Sequence, residues 1–132
     1  MTKHIPIEYE EQHALVQWLT INRIMHFAPV NENNTHKQNR KYAMIAEQKA
    51  KAVGKRKGVS DLIVMLPNKI LFIEMKRRPK ILKSGQRSIS HTKVSKEQYD
   101  FLTKVNGFEY AEGMVCYGRE EAIEFIKSHK EG

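Results

Sequence analysis

Residues 58–76, GVSDLIVMLPNKILFIEMK, decide the fold of this chain because they have the pattern of a β-hairpin with charged residues at its open end. Two apolar runs, residues 62–66 and 70–73, are each of strand length. Pro67 and Asn68 lie between the runs, and both residue types are common in tight turns. The stretch therefore predicts two antiparallel strands joined by a short turn.

The hairpin brings together three charged residues that lie far apart in the sequence. A two-residue turn places Asp61 directly opposite Glu74, and a three-residue turn makes them diagonal neighbours within side-chain reach. Side chains alternate between the faces of a strand, so Glu74 and Lys76 point to the same face. Either register predicts two carboxylates and one ammonium group in a single cluster.

Such a cluster is suited to cleaving a phosphodiester with the help of a metal ion. Two neighbouring carboxylates repel each other, and a divalent cation with oxygen ligands relieves that repulsion. Lys76 can then position a water molecule or stabilise charge that develops on a phosphate. The alternative is a buried hairpin whose terminal charges are only solvated.

The spacing of these residues resembles the motif of the PD-(D/E)XK nuclease superfamily. The two parts of that motif are VSD at residues 59–61 and EMK at residues 74–76, with Ser60 where that superfamily often has proline. The order of elements along residues 8–126 is similar to the VRR-NUC branch, the virus-type replication-repair nucleases. The resemblance implies an α/β fold with a restriction-endonuclease-like core, in which α-helices flank a central mixed β-sheet that contains the catalytic hairpin.

The resemblance also implies a ligand set for Mg²⁺ or Mn²⁺. Asp61 and Glu74 would bind the ion with help from the Met75 carbonyl, while Lys76 would act on the attacking water. Nucleases of this superfamily commonly add a glutamate from the first helix. We assign that role to Glu11, directly or through water, so the predicted catalytic residues are Glu11, Asp61, Glu74 and Lys76.

Residues 8–22 predict that first helix, with Leu15, Trp18 and Leu19 on one apolar stripe. Glu11 continues the stripe toward the sheet, and Glu8 lies one turn earlier on the same face. Glu8 is therefore the second candidate for the helix glutamate. Favourable interaction with the helix dipole explains acidic residues here equally well.

The rest of the chain predicts alternating strands and helices. Residues 24–30 predict a strand, 39–53 a helix, 113–117 a strand and 119–127 a closing helix. A further helix begins at Ser95, which forms a capping-box spacing with Gln98 and should place Tyr99 toward the core. In the superfamily a polar residue of this helix often lines the metal pocket, so Gln98 is a possible pocket residue.

The charge of the chain indicates a polyanionic partner. It has 23 Lys and Arg residues against 15 Asp and Glu residues, a formal net charge of +8. The positive charge is concentrated on both sides of the hairpin, where we expect it to hold a DNA backbone. The predicted nucleic-acid-binding residues are Lys55, Arg56, Lys57, Arg77, Arg78 and Lys80.

The length of 132 residues predicts one domain, residues 1–132. No stretch resembles a signal peptide or a membrane span, so we expect a cytoplasmic protein without a membrane partner. A single cysteine, Cys116, has apolar neighbours and is expected to be a buried thiol, not a nucleophile.

These observations favour a Mg²⁺- or Mn²⁺-dependent DNA endonuclease, structure-selective for branched or four-way junction DNA in replication, recombination or repair. Small members of the resembled group commonly act as homodimers, which suits paired cuts in a symmetric junction. Two alternatives are a non-catalytic nucleic-acid-binding module and a sequence-specific restriction-type nuclease on the same fold.

Overall fold

A computed structural model of the chain describes residues 5–29, 40–79, 84–85 and 93–130. Within these ranges the helices and strands follow each other in the predicted order. The elements are α1 (Glu8–Ile21), β1 (Met25–Phe27), α2 (Arg40–Ala52), β2 (Leu62–Met65), β3 (Ile70–Lys76), α3 (Lys96–Val105), β4 (Ala111–Tyr117) and α4 (Arg119–Lys130).

The four strands form one mixed sheet in the order β1-β2-β3-β4. The pairs β1/β2 and β2/β3 are antiparallel, whereas β3/β4 is parallel. Parallel neighbours need a long crossover, and α3 lies in the connection between β3 and β4. The predicted mixed sheet with flanking helices is therefore confirmed.

The hairpin of β2 and β3 has the two-residue turn. Leu66 and Lys69 exchange backbone hydrogen bonds of 2.8 and 3.4 Å around Pro67 and Asn68. Leu62 pairs with Ile73 in the same register. One step further along each strand, that register places Asp61 opposite Glu74.

Helices cover both faces of the sheet. On one face, α1 and α4 pack against β3, and the buried core there includes Leu15, Leu71, Ile73 and Ile126. On the other face, α3 packs against β3 and β4, with the Phe72 and Phe101 rings 5.7 Å apart. Because side chains alternate along β3, Glu74 lies on the α3 face with Phe72, and Met75 lies on the α1 face.

Some predicted boundaries differ from the observed elements. The first strand is shorter than predicted and covers only Met25–Phe27, because the Ile24 N–H closes the end of α1 on the Leu19 carbonyl at 2.9 Å. Beyond that strand, Pro29 has no N–H to donate to a neighbour. The prediction that Tyr99 faces the core is wrong, since 66% of its surface is exposed.

The prediction for Cys116 is confirmed. Its side chain is fully buried in β4. Burial, and to a smaller extent the nearby Glu121, raise the pKa of the Cys116 thiol to about 12. The thiolate needed for nucleophilic attack is therefore scarce at neutral pH. None of the helices within the described ranges combines the length and apolar character that crossing a membrane requires.

Candidate metal and nucleic-acid site

Asp61 and Glu74 meet at the open end of the hairpin, on the α3 face of the sheet. The Met75 N–H donates a hydrogen bond of 2.8 Å to Oδ2 of Asp61, the residue just before β2. This bond joins the two strands at the open end of the hairpin, beyond the last backbone pair. Glu74 is almost fully buried at 1% exposure, and Asp61 is half-buried. The structure thus brings together the two carboxylates expected from the hairpin pattern.

No described residue donates a hydrogen bond to the carboxylate of Glu74. Both of its oxygens are inaccessible to solvent, and the polar group beside them is the carboxylate of Asp61. Burial first, and then Asp61, raise the pKa of Glu74 to about 9, while the charge of Lys76 lowers it. A buried carboxyl group in this environment needs either a proton or a cation to satisfy its oxygens.

The groups at this point fit a hard divalent cation. In an extended strand the N–H and C=O of one residue point to the same side, so the Met75 carbonyl faces the same side as Asp61. The next carbonyl along β3, that of Lys76, points to the other side, since it accepts a hydrogen bond of 3.0 Å from the N–H of Gly118 at the end of β4. Two carboxylates and one backbone carbonyl are oxygen ligands of the kind that Mg²⁺ and Mn²⁺ prefer.

The carboxylates are two in number and not three. Among the residues with described positions, no three His, Cys, Asp or Glu side chains are grouped closely enough to hold a metal ion. The candidate centre therefore consists of Asp61, Glu74 and the Met75 carbonyl, with Lys76 on the same side of β3 as Glu74.

The first helix contributes Glu8 to this environment and not Glu11. Burial raises the pKa of Glu8, and the charge of Asp61 raises it further, whereas Lys76 lowers it. Glu8 also acts on Glu74, whose pKa it raises. Glu8, the second candidate for the helix glutamate, thus interacts electrostatically with Asp61, Glu74 and Lys76.

Glu11 is held elsewhere by two arginines. Its Oε2 accepts a 3.0 Å hydrogen bond from Nε of Arg78, and its Oε1 accepts one of 2.8 Å from Nε of Arg119. Its helix α1 packs on the face of the sheet opposite to Glu74. The expected position of Glu11 beside Asp61 is therefore not observed, because the sheet lies between the two faces and the arginines occupy both of its oxygens.

A cleft of about 530 Å³ opens beside the carboxylates. Three of the expected site residues line it, namely Asp61, Glu74 and Gln98. Gln98 also completes the predicted capping box, since Ser95 and Gln98 exchange hydrogen bonds of 2.9 and 3.1 Å. The side of the cleft formed by α2 comprises Arg40, Ala43, Met44 and Glu47.

The basic loop between α2 and β2 supplies the remaining wall of the cleft. Lys55, Arg56 and Lys57 all line it, as expected. Lys55 forms a 3.3 Å ion pair with Glu47 of α2. The Arg56 guanidinium lies over the Phe101 ring at 5.8 Å from the ring centroid, within the range of a cation–π contact.

The basic residues after β3 have different surroundings. Arg77 donates to two backbone carbonyls of the segment before α1, with distances of 2.5 Å to Ile5 and 3.1 Å to Pro6. Arg77 therefore fixes the segment that leads into Glu8. Arg78 binds Glu11 and keeps 44% of its side chain exposed. Lys80, residues 31–35 and His36 lie outside the described residues.

Close packing of Gly58 on α3 positions the loop against Gln98. A Cβ at Gly58 would lie only 2.4 Å from the backbone of Glu97, and its φ of +80° also disfavours other residues. Replacing Gly58 by alanine should lower the free energy of unfolding by about 2 to 4 kcal/mol, because left-handed strain and a backbone clash both add to the cost. Urea denaturation measures this change.

Gly54 provides the matched control for the Gly58 substitution. It has a φ of +106°, but a Cβ there would have no heavy atom of a described residue within 4 Å. Gly54→Ala should therefore lower the free energy of unfolding only by the cost of backbone strain, about 1 to 2 kcal/mol. Equal losses in the two variants would show that the contact with α3 is not tight.

Arg119 was not predicted as a residue of this region from the sequence. Arg119 opens α4 and contacts Glu11, which is 108 residues away in the chain. The only local signal is its position directly after Gly118, at the end of a strand, and that signal does not indicate a partner. The pairing depends on the packing of α1 against α4.

The fold agrees with a known structure, although the sequence by itself finds no relative. No protein family profile matches the chain, and no curated protein does. A solved structure described as a "VRR_NUC domain protein" superimposes with a TM-score of 0.63 at 16% sequence identity, covering 97% of this chain and 91% of that one. The predicted restriction-endonuclease-like architecture is therefore confirmed, and this chain has a VRR-NUC-like fold.

Proposed function

We propose that this protein is a DNA endonuclease that hydrolyses phosphodiester bonds with Mg²⁺ or Mn²⁺. The observation that carries the proposal is the buried Glu74 carboxylate, which lies beside Asp61 at the edge of a basic cleft and whose two oxygens accept no hydrogen bond from any described residue. A structural ion pair would have placed a cation beside these oxygens. A site built to receive a metal ion leaves them free.

Each residue at the open end of the hairpin has a distinct role in this proposal. Asp61, Glu74 and the Met75 carbonyl hold the ion, and Asp61 is itself oriented by the Met75 N–H. When bound, the ion supplies a water of lowered pKa and neutralises charge on the phosphate. Lys76 orients the attacking water and stabilises the charge of the pentavalent phosphate in the transition state.

Glu8 takes the role for which Glu11 was the first candidate. Its charge interacts with Asp61 and Lys76, and Arg77 anchors the segment immediately before it. A carboxylate in this environment would accept a hydrogen bond from the attacking water and so hold its orientation. Glu8 is therefore a positioning residue for the attacking water.

The cleft supports a nucleic-acid backbone as the substrate. Lys55, Arg56 and Lys57 line the same cleft as Asp61 and Glu74, so positive charge lies beside the proposed metal centre. Contacts of this kind read phosphates and not bases. Selection of a DNA shape, such as a branched or four-way junction, follows more readily from them than selection of a sequence.

Two further parts of the proposal do not depend on the geometry of the site. The protein is proposed to work in the cytoplasm. It is proposed to act as a homodimer, as the resemblance to VRR-NUC nucleases implies, because a two-fold dimer presents two sites of opposite polarity to a junction. Sedimentation velocity at several protein concentrations tests the dimer directly.

Cleavage of a panel of labelled DNAs tests the activity. Linear duplex, single strand, 5′ flap, fork and four-way junction are incubated with Mg²⁺, Mn²⁺ or EDTA. Cutting in either metal, with none in EDTA, is the expected result, and branched members should be cut fastest. One preferred linear sequence would instead favour a restriction-type enzyme, and tight binding without any cutting would favour a binding module.

A further inference from the structure

We infer that Arg78 and Arg119, oriented by Glu11, form a second binding site for a backbone phosphate, separate from the basic wall of the cleft. The inference rests on the proposed nucleic-acid substrate and assigns Glu11 a role in binding. It begins from the arrangement of three side chains: one buried carboxylate and two guanidinium groups, each bound through Nε to a different oxygen of Glu11.

The arginines keep most of their donors available. A guanidinium group has five N–H donors, and one of them, on Nε, is used on Glu11. No other hydrogen bond of Arg78 or Arg119 occurs among the described residues. Their side chains are 44% and 41% exposed, whereas that of Glu11 is only 1% exposed. The carboxylate is therefore buried, whereas the side chains of both arginines are partly exposed to solvent.

The orientation of the two arginines is fixed before any ligand binds. A long flexible side chain loses rotamer freedom when it binds a phosphate, and an existing bond to Glu11 reduces that loss. Gly118 narrows the space further, because a Cβ there would lie 2.7 Å from the Arg78 side chain and 2.8 Å from Oε2 of Glu11. Planar guanidinium groups held in this way match the oxygens of a phosphate.

The charge balance favours an anion. The two guanidinium groups and the one carboxylate of this cluster carry one net positive charge between them. An ion pair that served only to neutralise Glu11 would need one arginine and not two.

The pair lies at the end of the sheet where β3 and β4 finish beside the candidate metal centre. Arg78 follows Lys76 by two residues, and Arg119 follows β4 by two residues. The hydrogen bond between the Lys76 carbonyl and the Gly118 N–H joins the two strand ends at this point. The arginines and the metal centre thus lie at the same end of the sheet but on opposite faces, so a nucleic-acid strand that reached both would pass around the ends of β3 and β4.

The test measures DNA affinity in EDTA by fluorescence anisotropy at several salt concentrations, so it does not depend on cleavage. Arg119→Gln should weaken binding about threefold to tenfold and reduce the magnitude of the salt slope by about 1, the change expected for one phosphate contact. Arg23→Gln is the matched control. Arg23 is exposed and follows the C-terminal end of α1, roughly 20 Å along the helix from Glu11.

Two further variants keep the inference testable if Arg119→Gln is poorly folded in thermal unfolding. Arg78→Gln should weaken binding to a similar degree. Glu11→Gln leaves one oxygen acceptor and turns an NH₂ donor toward the second arginine, so that arginine loses its orientation and DNA binding should weaken. A carboxylate that did not orient the arginines would instead give tighter binding when replaced, because its removal makes the surface more positive.

Several results would overturn the inference. Equal losses of affinity in Arg119→Gln and Arg23→Gln would show a general charge effect, and unchanged or tighter binding in Glu11→Gln would show that Glu11 does not orient the arginines. If the wild-type protein bound and cut DNA while either result was found, the proposed function would stand and this inference would fail. If the wild-type protein bound no DNA, both would fail.

Discussion

Lys76→Met is expected to lower the single-turnover rate constant for DNA cleavage by about 10²- to 10³-fold, while the dissociation constant for DNA in EDTA changes little. Methionine approximates the length of lysine but cannot donate a hydrogen bond or carry a charge. Loss of one positioned charge that stabilises a transition state has an effect of this size in other enzymes. Quenched-flow cleavage of the preferred DNA, with enzyme in excess, measures the rate constant.

An exposed lysine on α4, Lys127, supplies the control for charge. Lys127→Met removes the same charge at a position away from the hairpin, so its cleavage rate should match that of the wild type. A fall in DNA affinity large enough to explain the slower cutting by Lys76→Met would contradict a role in the chemical step. It would make Lys76 a binding residue instead.

Glu74→Gln is expected to abolish cleavage and, in the metal-free protein, to increase the free energy of unfolding at pH 8. The pKa of Glu74 rises from the ordinary 4.5 to about 9 in the folded protein, chiefly through burial. Ionised Glu74 is therefore unfavourable in the fold. Glutamine has nearly the same shape without the cost of burying a charge.

The pH dependence of stability has a definite sign. Between roughly pH 5 and pH 9, folded Glu74 retains a proton that the unfolded chain has released, so raising the pH favours unfolding. The contribution of Glu74 is fully present below its unfolded pKa and is lost as the pH rises through the folded pKa. The slope in this interval approaches about 1.4 kcal/mol per pH unit, and Glu74→Gln should remove it.

Urea denaturation in EDTA across this pH range, with and without added Mn²⁺, tests both expectations. Binding of the ion to the folded state should stabilise the wild type by mass action and leave Glu74→Gln almost unchanged. Glu124→Gln, an exposed substitution on α4, should follow the wild type throughout. A Glu74→Gln variant that is less stable than the wild type at pH 8 in EDTA would show that Glu74 has a stabilising partner in the metal-free fold.

Local patterns were sufficient for the elements nearest to the chemistry. The tight turn at Pro67 and Asn68 sets the hairpin register, and the alternation of β3 then places Glu74 and Lys76 on one face. The Ser95 capping box is likewise a matter of residues three apart. The shorter β1 was less predictable, because its end depends on how the chain leaves α1.

The sequence by itself determined that Asp61, Glu74 and Lys76 share one end of a hairpin, since two short strands and a two-residue turn leave few registers. Only the tertiary structure decided which glutamate of α1 lies near them. Helical periodicity puts Glu8 and Glu11 on the same stripe, but it cannot show where the sheet ends or that Arg119 binds Glu11. Contacts between residues 67 and 108 positions apart arise from the packing of α1, β3 and α4, and no local pattern encodes them.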